Sequence, residues 1–127
     1  MTQENEDLLL KDLCARLPYG VICKDDYAKI EGKLSQIGIN YDMCLLSDDY
    51  GKTEWAYIPN CKPYLFPLSS MTEEQSKIYH ELVCGMFGTS ALINFEVLTD
   101  FFNENHLDYR GLIPMGLAID ATGLNIY

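Results

Sequence analysis

The sequence predicts an α+β fold: a small bent antiparallel sheet, or a partly open barrel, packed with about three helices. Apolar residues recur at helical spacing near the N-terminus and in the second half of the chain, and strand-like segments lie between them. The chain has 127 residues, of which 48% are hydrophobic, so we expect residues 1–127 to form a single globular domain. The expected strands span about residues 19–23, 30–46 and 53–66, and the expected helices span about residues 5–16, 72–84 and 90–105.

The N-terminal segment predicts a helix followed by a strand. Asn5 has the side chain of an N-cap, the leucines that follow recur at helical spacing, and Pro18 ends the helix. Residues 19–23 are rich in β-branched and aromatic side chains, which favour a strand.

The middle of the chain predicts most of the sheet. Residues 27–38 also fit a helical stripe, but their two glycines weaken a helix, so we favour strand for much of this segment. Alternating apolar residues from Ile39 to Leu45, a polar turn and a returning strand predict a β-hairpin over residues 39–58. Residues 59–68 contain three prolines, and we expect them to be extended without forming a central strand.

The second half of the chain predicts two helices. The first begins with the spacing of a capping box, which occurs twice, in Ser70 with Glu73 and in Thr72 with Gln75. It is expected to run to about Cys84, with Gly85 and Gly88 ending it. The second is expected from residue 89 or 90 to Asn105, with an apolar face made of Ala91, Phe95, Leu98 and Phe102. Residues 109–127 predict a turn and a packed tail or edge strand.

The formal net charge of −10, from 9 Lys and Arg against 19 Asp and Glu, excludes several classes of function. Phosphate backbones are bound by Lys and Arg, so we expect no direct binding of nucleic acid. Anionic lipid would repel the protein, and no segment approaches the roughly 18 apolar residues of a membrane span, so we expect no membrane partner. The acidic N-terminus lacks the pattern of a signal peptide, and a cytoplasmic location is expected.

Acidic residues recur every four positions along the second long helix, opposite its apolar face. They are Glu96, Asp100, Glu104 and Asp108. Such a face is either a solvated surface that keeps the protein soluble or a docking face for a protein partner with a basic surface. His106, just past this helix, is expected to act as a cationic cap at its C-terminus.

Aromatic residues cluster around the hairpin and the proline-containing segment, at Tyr50, Trp55, Tyr57 and Tyr64. They are either core residues whose hydroxyl groups reach the surface, or an exposed patch that binds a peptide. We do not expect an aromatic sheet that binds RNA, because such sheets are surrounded by basic residues.

No catalytic or metal-binding motif is found in the sequence. It lacks C-x-x-C, His-Glu-x-x-His, G-x-S-x-G, a P-loop and G-x-G-x-x-G. We expect its five cysteines to be buried, reduced and structural: Cys14, Cys23, Cys44, Cys61 and Cys84. We therefore expect no cofactor, no metal and no enzymatic activity, since an enzyme would need a pocket where thiols or carboxylates meet His80 or His106.

Three stretches have a distinctive amino-acid sequence. They are residues 12–21 (Asp-Leu-Cys-Ala-Arg-Leu-Pro-Tyr-Gly-Val), residues 62–74 (Lys-Pro-Tyr-Leu-Phe-Pro-Leu-Ser-Ser-Met-Thr-Glu-Glu) and residues 107–113 (Leu-Asp-Tyr-Arg-Gly-Leu-Ile). In these stretches, which cover the framework of the domain, the chain resembles a family of small proteins of gut Bacteroidetes and of their phages and prophages. At Phe66 the family more often carries an arginine. No activity is assigned to the family, so the resemblance transfers no catalytic residue and implies only the context of a phage or mobile element, where small acidic proteins are often inhibitors.

Two hypotheses for function follow from these observations. The first is a non-enzymatic acidic binding protein, a phage-encoded inhibitor such as an anti-CRISPR protein, that docks its acidic helix on a basic, nucleic-acid-binding protein. The second is a structural or assembly adaptor, or a self-associating domain, that binds through the aromatic hairpin surface. The sequence leaves the identity of the partner and the oligomeric state open.

Overall fold

The fold is α+β, as predicted. A computed structural model describes residues 1–84 and 95–127, and these residues form three helices and six strands. The helices are α1 (Gln3–Arg16), α2 (Glu73–Val83) and α3 (Phe95–Glu104). The strands are β1 (Ile22–Asp25), β2 (Ile30–Gly38), β3 (Met43–Ser47), β4 (Thr53–Tyr57), β5 (Cys61–Leu65) and β6 (Ile119–Asp120). None of the described helices is long and apolar enough to cross a membrane.

The strands form one mixed sheet in the order β4-β3-β2-β1-β5-β6, in which β6 is parallel to β5 and the other neighbours are antiparallel. Cys44 on β3 and Cys61 on β5 touch, with 3.4 Å between their Sγ atoms, although β2 and β1 lie between the two strands. In a flat sheet these strands would lie about 14 Å apart, because adjacent strands are about 4.8 Å apart. The sheet is therefore strongly bent, but it is not closed into a barrel, since its two edge strands, β4 and β6, do not pair with each other.

The inner face of the bent sheet holds the main core. Its buried strand residues include Cys23, Leu34, Cys44, Leu46, Ala56 and Leu65. Leu9 and Leu13 of α1 cover this face, and Leu112 and Leu117 of the C-terminal segment complete the core. On the outer face, the alternate residues of β3 and β4 are half-buried or exposed.

The first helix ends at Arg16 as predicted, but its start and both ends of the first strand differ from the predicted ones. Thr2, and not Asn5, is the N-cap of α1, since its hydroxyl accepts a hydrogen bond of 3.1 Å from the Asn5 amide. The first strand starts at Ile22 because residues Leu17–Tyr19 form a 3-10 turn, which Gly20 ends in a left-handed conformation with φ of 71°.

The predicted strand over residues 30–46 is in fact a hairpin of two strands. Residues Ile39–Tyr41 form a 3-10 turn, and Asp42 has a φ of 51°, so the chain reverses between β2 and β3. The strand preference of residues 30–38 is confirmed, and so is the hairpin of β3 and β4, but its first strand begins at Met43. The alternation from Ile39 misled the prediction because the apolar residues keep a spacing of two through Ile39 and Tyr41, which belong to the turn.

The proline-containing segment contributes a strand that has neighbours on both sides. β5 pairs with β1 and with β6, so the prediction that it is not a central strand was wrong. Pro63 has no backbone N–H to donate to a neighbouring strand. On the β6 side it has no partner, because β6 pairs only with Tyr64 and Leu65. At Pro63, β5 is therefore still an edge on that side, where proline is tolerated.

The helices α2 and α3 form a second, smaller core at one end of the sheet. Phe101, Phe102 and Leu107 are buried there, with Phe66 and Met71 packed against them. The predicted capping box of Thr72 and Gln75 is confirmed, with both reciprocal hydrogen bonds present. On α3, Leu98 and Phe102 face this core as predicted, but Phe95 is 69% exposed. The predicted helix end at Gly85 and Gly88, the start of the second helix and Ala91 lie outside the described residues.

Candidate interaction surface

A tight turn sets the register of the β3–β4 hairpin. The Asp48 carboxylate accepts hydrogen bonds from the amides of Tyr50 and Lys52, both 2.9 Å long, and Gly51 takes a φ of 81°. The register that follows pairs Ser47 with Thr53 and continues to the end of both strands.

The hydrogen bonds that close the hairpin at each end show which residues of β4 direct their N–H and C=O groups toward β3 and which direct them away from it. The Asp48 amide donates to the Lys52 carbonyl, and the Ile58 amide donates to the Asp42 carbonyl. Because hydrogen-bonded and non-hydrogen-bonded pairs alternate in an antiparallel ladder, the residues of β4 that do not bond to β3 are Thr53, Trp55 and Tyr57. Side chains in such pairs are close together, so Trp55 packs beside Leu45 and Tyr57 beside Met43.

These four side chains form a continuous apolar surface on the outer face of the sheet, which we call the hairpin patch (Met43, Leu45, Trp55 and Tyr57). Trp55 is 51% exposed and Tyr57 is 45% exposed. The indole ring lies across β3 and comes within 3.9 Å of the place where a Cβ would stand on Gly38. Two aromatic rings that are half exposed leave about 200 Å² of apolar surface in contact with water.

The hairpin patch borders an open strand edge. β4 is the last strand of the sheet, and the N–H and C=O groups of Thr53, Trp55 and Tyr57 point away from β3. Among residues 1–84 and 95–127, these backbone groups have no hydrogen-bond partner. An apolar surface and a free edge therefore coincide at Trp55 and Tyr57.

The predicted aromatic cluster is only partly brought together. Tyr50 is 96% exposed at the tip of the hairpin turn, while Trp55 and Tyr57 are in the hairpin patch, so none of the three is a core residue. Tyr64 is 5% exposed, so it is a core residue, as the first interpretation had it, and its place in an exposed patch was wrong. It lies on β5, which has neighbours on both sides, and burial together with its hydrogen bond to Glu31 raises the pKa of its hydroxyl. Met43 and Leu45 were missed, although their position opposite Trp55 and Tyr57 could have been derived from the hairpin register.

The acidic face is shorter than predicted. Glu96, Asp100 and Glu104 are exposed on α3, and Asp100 accepts a hydrogen bond of 3.2 Å from the Tyr19 hydroxyl. Asp108 was wrongly placed on this face, because α3 ends at Glu104. The Asp108 side chain is buried and accepts hydrogen bonds from the amides of residues 112 and 113, at 2.8 and 2.9 Å.

His106 does not act as the predicted cationic cap. It has a φ of 56°, past the end of α3, and its ring stacks on Tyr127 with 3.7 Å between the ring centres. Burial, together with the positive charge of Arg16, lowers the pKa of His106 to about 4, so the ring is neutral at pH 7.

The cysteines divide into two groups. Cys23, Cys44 and Cys61 are buried as predicted, whereas Cys14 and Cys84 are exposed, which contradicts the prediction. Burial raises the pKa of Cys23, and the hydrogen bond with Cys44 together with burial raises the pKa of Cys61. Protonated thiols such as those of Cys23 and Cys61 are poor nucleophiles.

The described residues that line the cleft beside the sheet do not include the histidine that a pocket for catalysis by a thiol or carboxylate would need. A cleft of about 510 Å³ lies between the sheet and the C-terminal segment, and Glu31, Lys33, Asp48 and Asn125 are among the residues that line it. No thiol and no histidine of the described residues lines this cleft. Among the same residues, no group of three or more His, Cys, Asp or Glu side chains could hold a metal ion.

Comparison of the chain with protein-family models, with curated proteins and with solved structures found no match.

Proposed function

We propose that this protein is a non-enzymatic protein-binding module, an adaptor or self-associating domain, whose binding surface is the hairpin patch. One observation carries the proposal: Trp55 and Tyr57 stand half exposed, side by side, on the outer face of an edge strand, with Met43 and Leu45 packed against them. Exposed apolar surface is costly in water, and contiguous patches of it mark interaction sites on soluble proteins.

The composition of the patch agrees with this function. Trp and Tyr are the residues most enriched among those that dominate binding energies, because each buries a large rigid surface and keeps a polar group for hydrogen bonding. Removal of such a side chain typically costs at least about 2 kcal/mol of binding free energy, which is a factor of about 30 in affinity.

Selection of peptides from a random displayed library on the immobilised, folded protein tests the proposal. The peptides enriched on the native protein are then titrated against Trp55→Ala, Tyr57→Ala and the control Tyr50→Ala, which removes an exposed tyrosine from the hairpin turn. We expect the first two changes to weaken binding by about tenfold or more, and the control to change it by less than about twofold. Circular dichroism shows whether each variant keeps the native fold.

Two results would contradict the proposal. The first is that no peptide is enriched above a blank surface and the protein does not associate with itself. The second is that the enriched peptides bind the folded Trp55→Ala and Tyr57→Ala variants as tightly as the native protein.

The acidic face of α3 supports a second candidate function. Glu96, Asp100 and Glu104 are exposed at intervals of four residues, which suits docking on a basic, nucleic-acid-binding protein. With the resemblance to phage-associated proteins, this supports an inhibitor that acts in the cytoplasm, of the anti-CRISPR kind or directed at another host defence. This candidate has less support, because Asp108 is buried and Asp100 already bonds to Tyr19.

Charge reversal separates the two candidates. Replacement of Glu96, Asp100 and Glu104 by Lys should abolish a salt-sensitive interaction with a basic protein and leave the peptides selected through the hairpin patch unaffected. Binding to a basic partner that survives the triple change would eliminate the acidic-face candidate.

A further inference from the structure

The free edge of β4 is complementary to a second copy of itself, and this inference rests on the proposed function of the hairpin patch. The outward N–H and C=O groups belong to Thr53, Trp55 and Tyr57, three residues spaced two apart with Trp55 in the middle. A strand with this spacing can pair with an antiparallel copy of itself about a twofold axis at the central residue.

The symmetric arrangement uses every free backbone group of the edge. Trp55 lies opposite Trp55 of the partner subunit, and Thr53 lies opposite Tyr57 of the partner subunit. These are hydrogen-bonded pairs, because the groups involved are those that β3 leaves free, and each pair exchanges two backbone hydrogen bonds. The same pairing brings the two hairpin patches together on one face of a continuous sheet, where aromatic cross-strand pairs add stability.

The charges of β4 are compatible with this pairing. The residues between the three edge residues are Glu54 and Ala56, and the twofold axis places Glu54 opposite Ala56 of the partner subunit, so no like charges face each other. Natural edge strands are usually protected from pairing by lysine, proline, a bulge or a covering element. Between Thr53 and Tyr57 there is no lysine or proline, and β3 is the only described strand that pairs with β4.

The size of the surface sets the strength of the association. One five-residue strand and two half-exposed rings bury far less than the roughly 800 Å² per subunit of a standard stable interface. The association is therefore reversible. We infer that this protein forms a reversible, twofold-symmetric homodimer in which the β4 strands of two copies pair antiparallel through Thr53, Trp55 and Tyr57.

Sedimentation velocity of the full chain under reducing conditions, from about 1 μM to about 1 mM, tests the dimer over the range in which small interfaces associate. Reducing conditions exclude cross-links through the exposed Cys14 and Cys84. We expect the sedimentation coefficient to rise with concentration from the monomer to the dimer value. Hydrogen exchange should show that the amides of Thr53, Trp55 and Tyr57 become protected as the protein concentration rises.

Two variants act on the edge by different means. Trp55→Lys sets two like charges opposite each other at the axis, and its control, Tyr50→Lys, makes the same change in charge at the hairpin turn. Thr53→Pro removes one outward N–H at the first residue of an edge strand, where proline is tolerated and no bond to β3 is lost. We expect Trp55→Lys and Thr53→Pro to weaken dimerisation by about tenfold or more, and Tyr50→Lys to leave it within about twofold.

The inference is overturned if the native chain stays monomeric up to about 1 mM. The dissociation constant would then lie above about 1 mM, which is too weak for a stable pairing of the two strands. It is also overturned if folded Thr53→Pro and Trp55→Lys variants dimerise as the native chain does. A monomeric protein that still binds the selected peptides through Trp55 would refute the dimer and leave the proposed function intact. A native chain that neither binds peptides nor dimerises would refute both the dimer and the proposed function.

Discussion

Asp12 is the centre of a buried ionic cluster that joins α1 to the C-terminal segment. Its two carboxylate oxygens accept hydrogen bonds from Arg16 and Arg110, both 2.9 Å long, and neither Asp12 nor Arg16 is exposed. Arg16 also donates a hydrogen bond of 2.6 Å to the Leu107 carbonyl, and the Tyr109 ring lies beside both guanidinium groups. All five residues fall within residues 12–21 and 107–113, so these two stretches meet in the folded protein.

Replacement of Asp12 by Asn should destabilise the protein strongly. The change leaves two guanidinium groups without their carboxylate, and removal of one partner from a buried ion pair typically costs about 3–5 kcal/mol. Urea unfolding measures the loss. The control is Asp7→Asn, which removes an exposed carboxylate from the same helix and should cost less than about 0.5 kcal/mol. Similar midpoints for the two variants would contradict this account of the cluster.

His106 and Tyr127 attach the C-terminal segment to the sheet. The Tyr127 hydroxyl accepts a hydrogen bond from the Ile22 amide and donates one to the Tyr64 carbonyl, at 2.9 and 2.8 Å, and His106 stacks on the ring. Since the pKa of His106 falls from its ordinary value of 6.5 to about 4, the folded protein takes up a proton less readily than the unfolded chain. The free energy of unfolding should therefore decrease as the pH falls from about 6.5 to about 4.

His106→Asn should remove this part of the pH dependence. Asparagine adopts positive φ more readily than most residues, so it suits the backbone at this position, and it does not titrate. Between pH 7 and pH 5 we expect the native protein to lose up to about 2 kcal/mol more stability than the variant. His80→Asn, which changes an exposed histidine of α2, should behave as the native protein does. Parallel stability curves for His106→Asn and the native protein would rule out this role.

At the scale of the elements, the close approach of β2 to β3 depends on Gly32. A Cβ at this position would stand 2.5 Å from the Ser47 carbonyl oxygen and 2.8 Å from the Ser47 carbonyl carbon, which are backbone atoms that cannot move aside. Gly38, at the other end of the same strand, has room for a Cβ, whose nearest neighbour would be the Met43 carbonyl oxygen at 3.6 Å. The two glycines of β2 therefore differ: the packing against β3 leaves no space for a side chain at Gly32 but leaves space for one at Gly38.

Gly32→Ala should destabilise the sheet by about 1–3 kcal/mol, the usual cost of overpacking. Gly38→Ala is its matched control and should be neutral or stabilising by up to about 1 kcal/mol, because alanine lowers the conformational entropy of the unfolded chain. Denaturant unfolding of both variants checks the pair. Equal stability of the two variants would show that the strands can separate to admit the methyl group.

At the scale of the whole molecule, the charge of −10 is unevenly distributed. The sequence has no Lys or Arg between Lys77 and Arg110, a region that includes α3 and most of α2. The sheet region carries most of the lysines: Lys24, Lys29, Lys33, Lys52 and Lys62. The negative charge is therefore concentrated on the helices, and the hairpin patch itself contains no charged residue.

Salt should stabilise the protein, because it screens the repulsion among the carboxylates of the helices. We expect the melting temperature to rise by a few degrees between low salt and about 0.5 M NaCl. The triple variant Glu96→Gln, Asp100→Asn, Glu104→Gln should melt higher at low salt and respond less to salt, because like charges four residues apart destabilise a helix. Calorimetry on both proteins measures the effect, and an equal response to salt would show that the α3 carboxylates do not repel one another.

The sequence by itself determined the elements whose signals are local. The capping box of Thr72 and Gln75 lies within four residues, and the turn at Asp48 and Gly51 defines the β3–β4 hairpin with its own hydrogen bonds. The α+β class followed from the same short-range patterns. Such signals can be read because the interacting groups are neighbours along the chain.

Only the tertiary structure decided which residues became buried and which remained at the surface. Asp108 has the spacing of an α3 surface residue, and Tyr64 resembles the aromatic residues of the hairpin, yet both are buried. Asp108 binds the amides of the following turn, and Tyr64 lies on a strand enclosed by β1 and by β6, which comes from the far end of the chain. The bend of the sheet and the free edge of β4 have the same origin. β5, the next strand along the chain after β4, pairs with the distant strand β1 and then with β6, which bends the sheet and leaves β4 at its edge. These pairings join segments far apart in the sequence, and no local pattern encodes them.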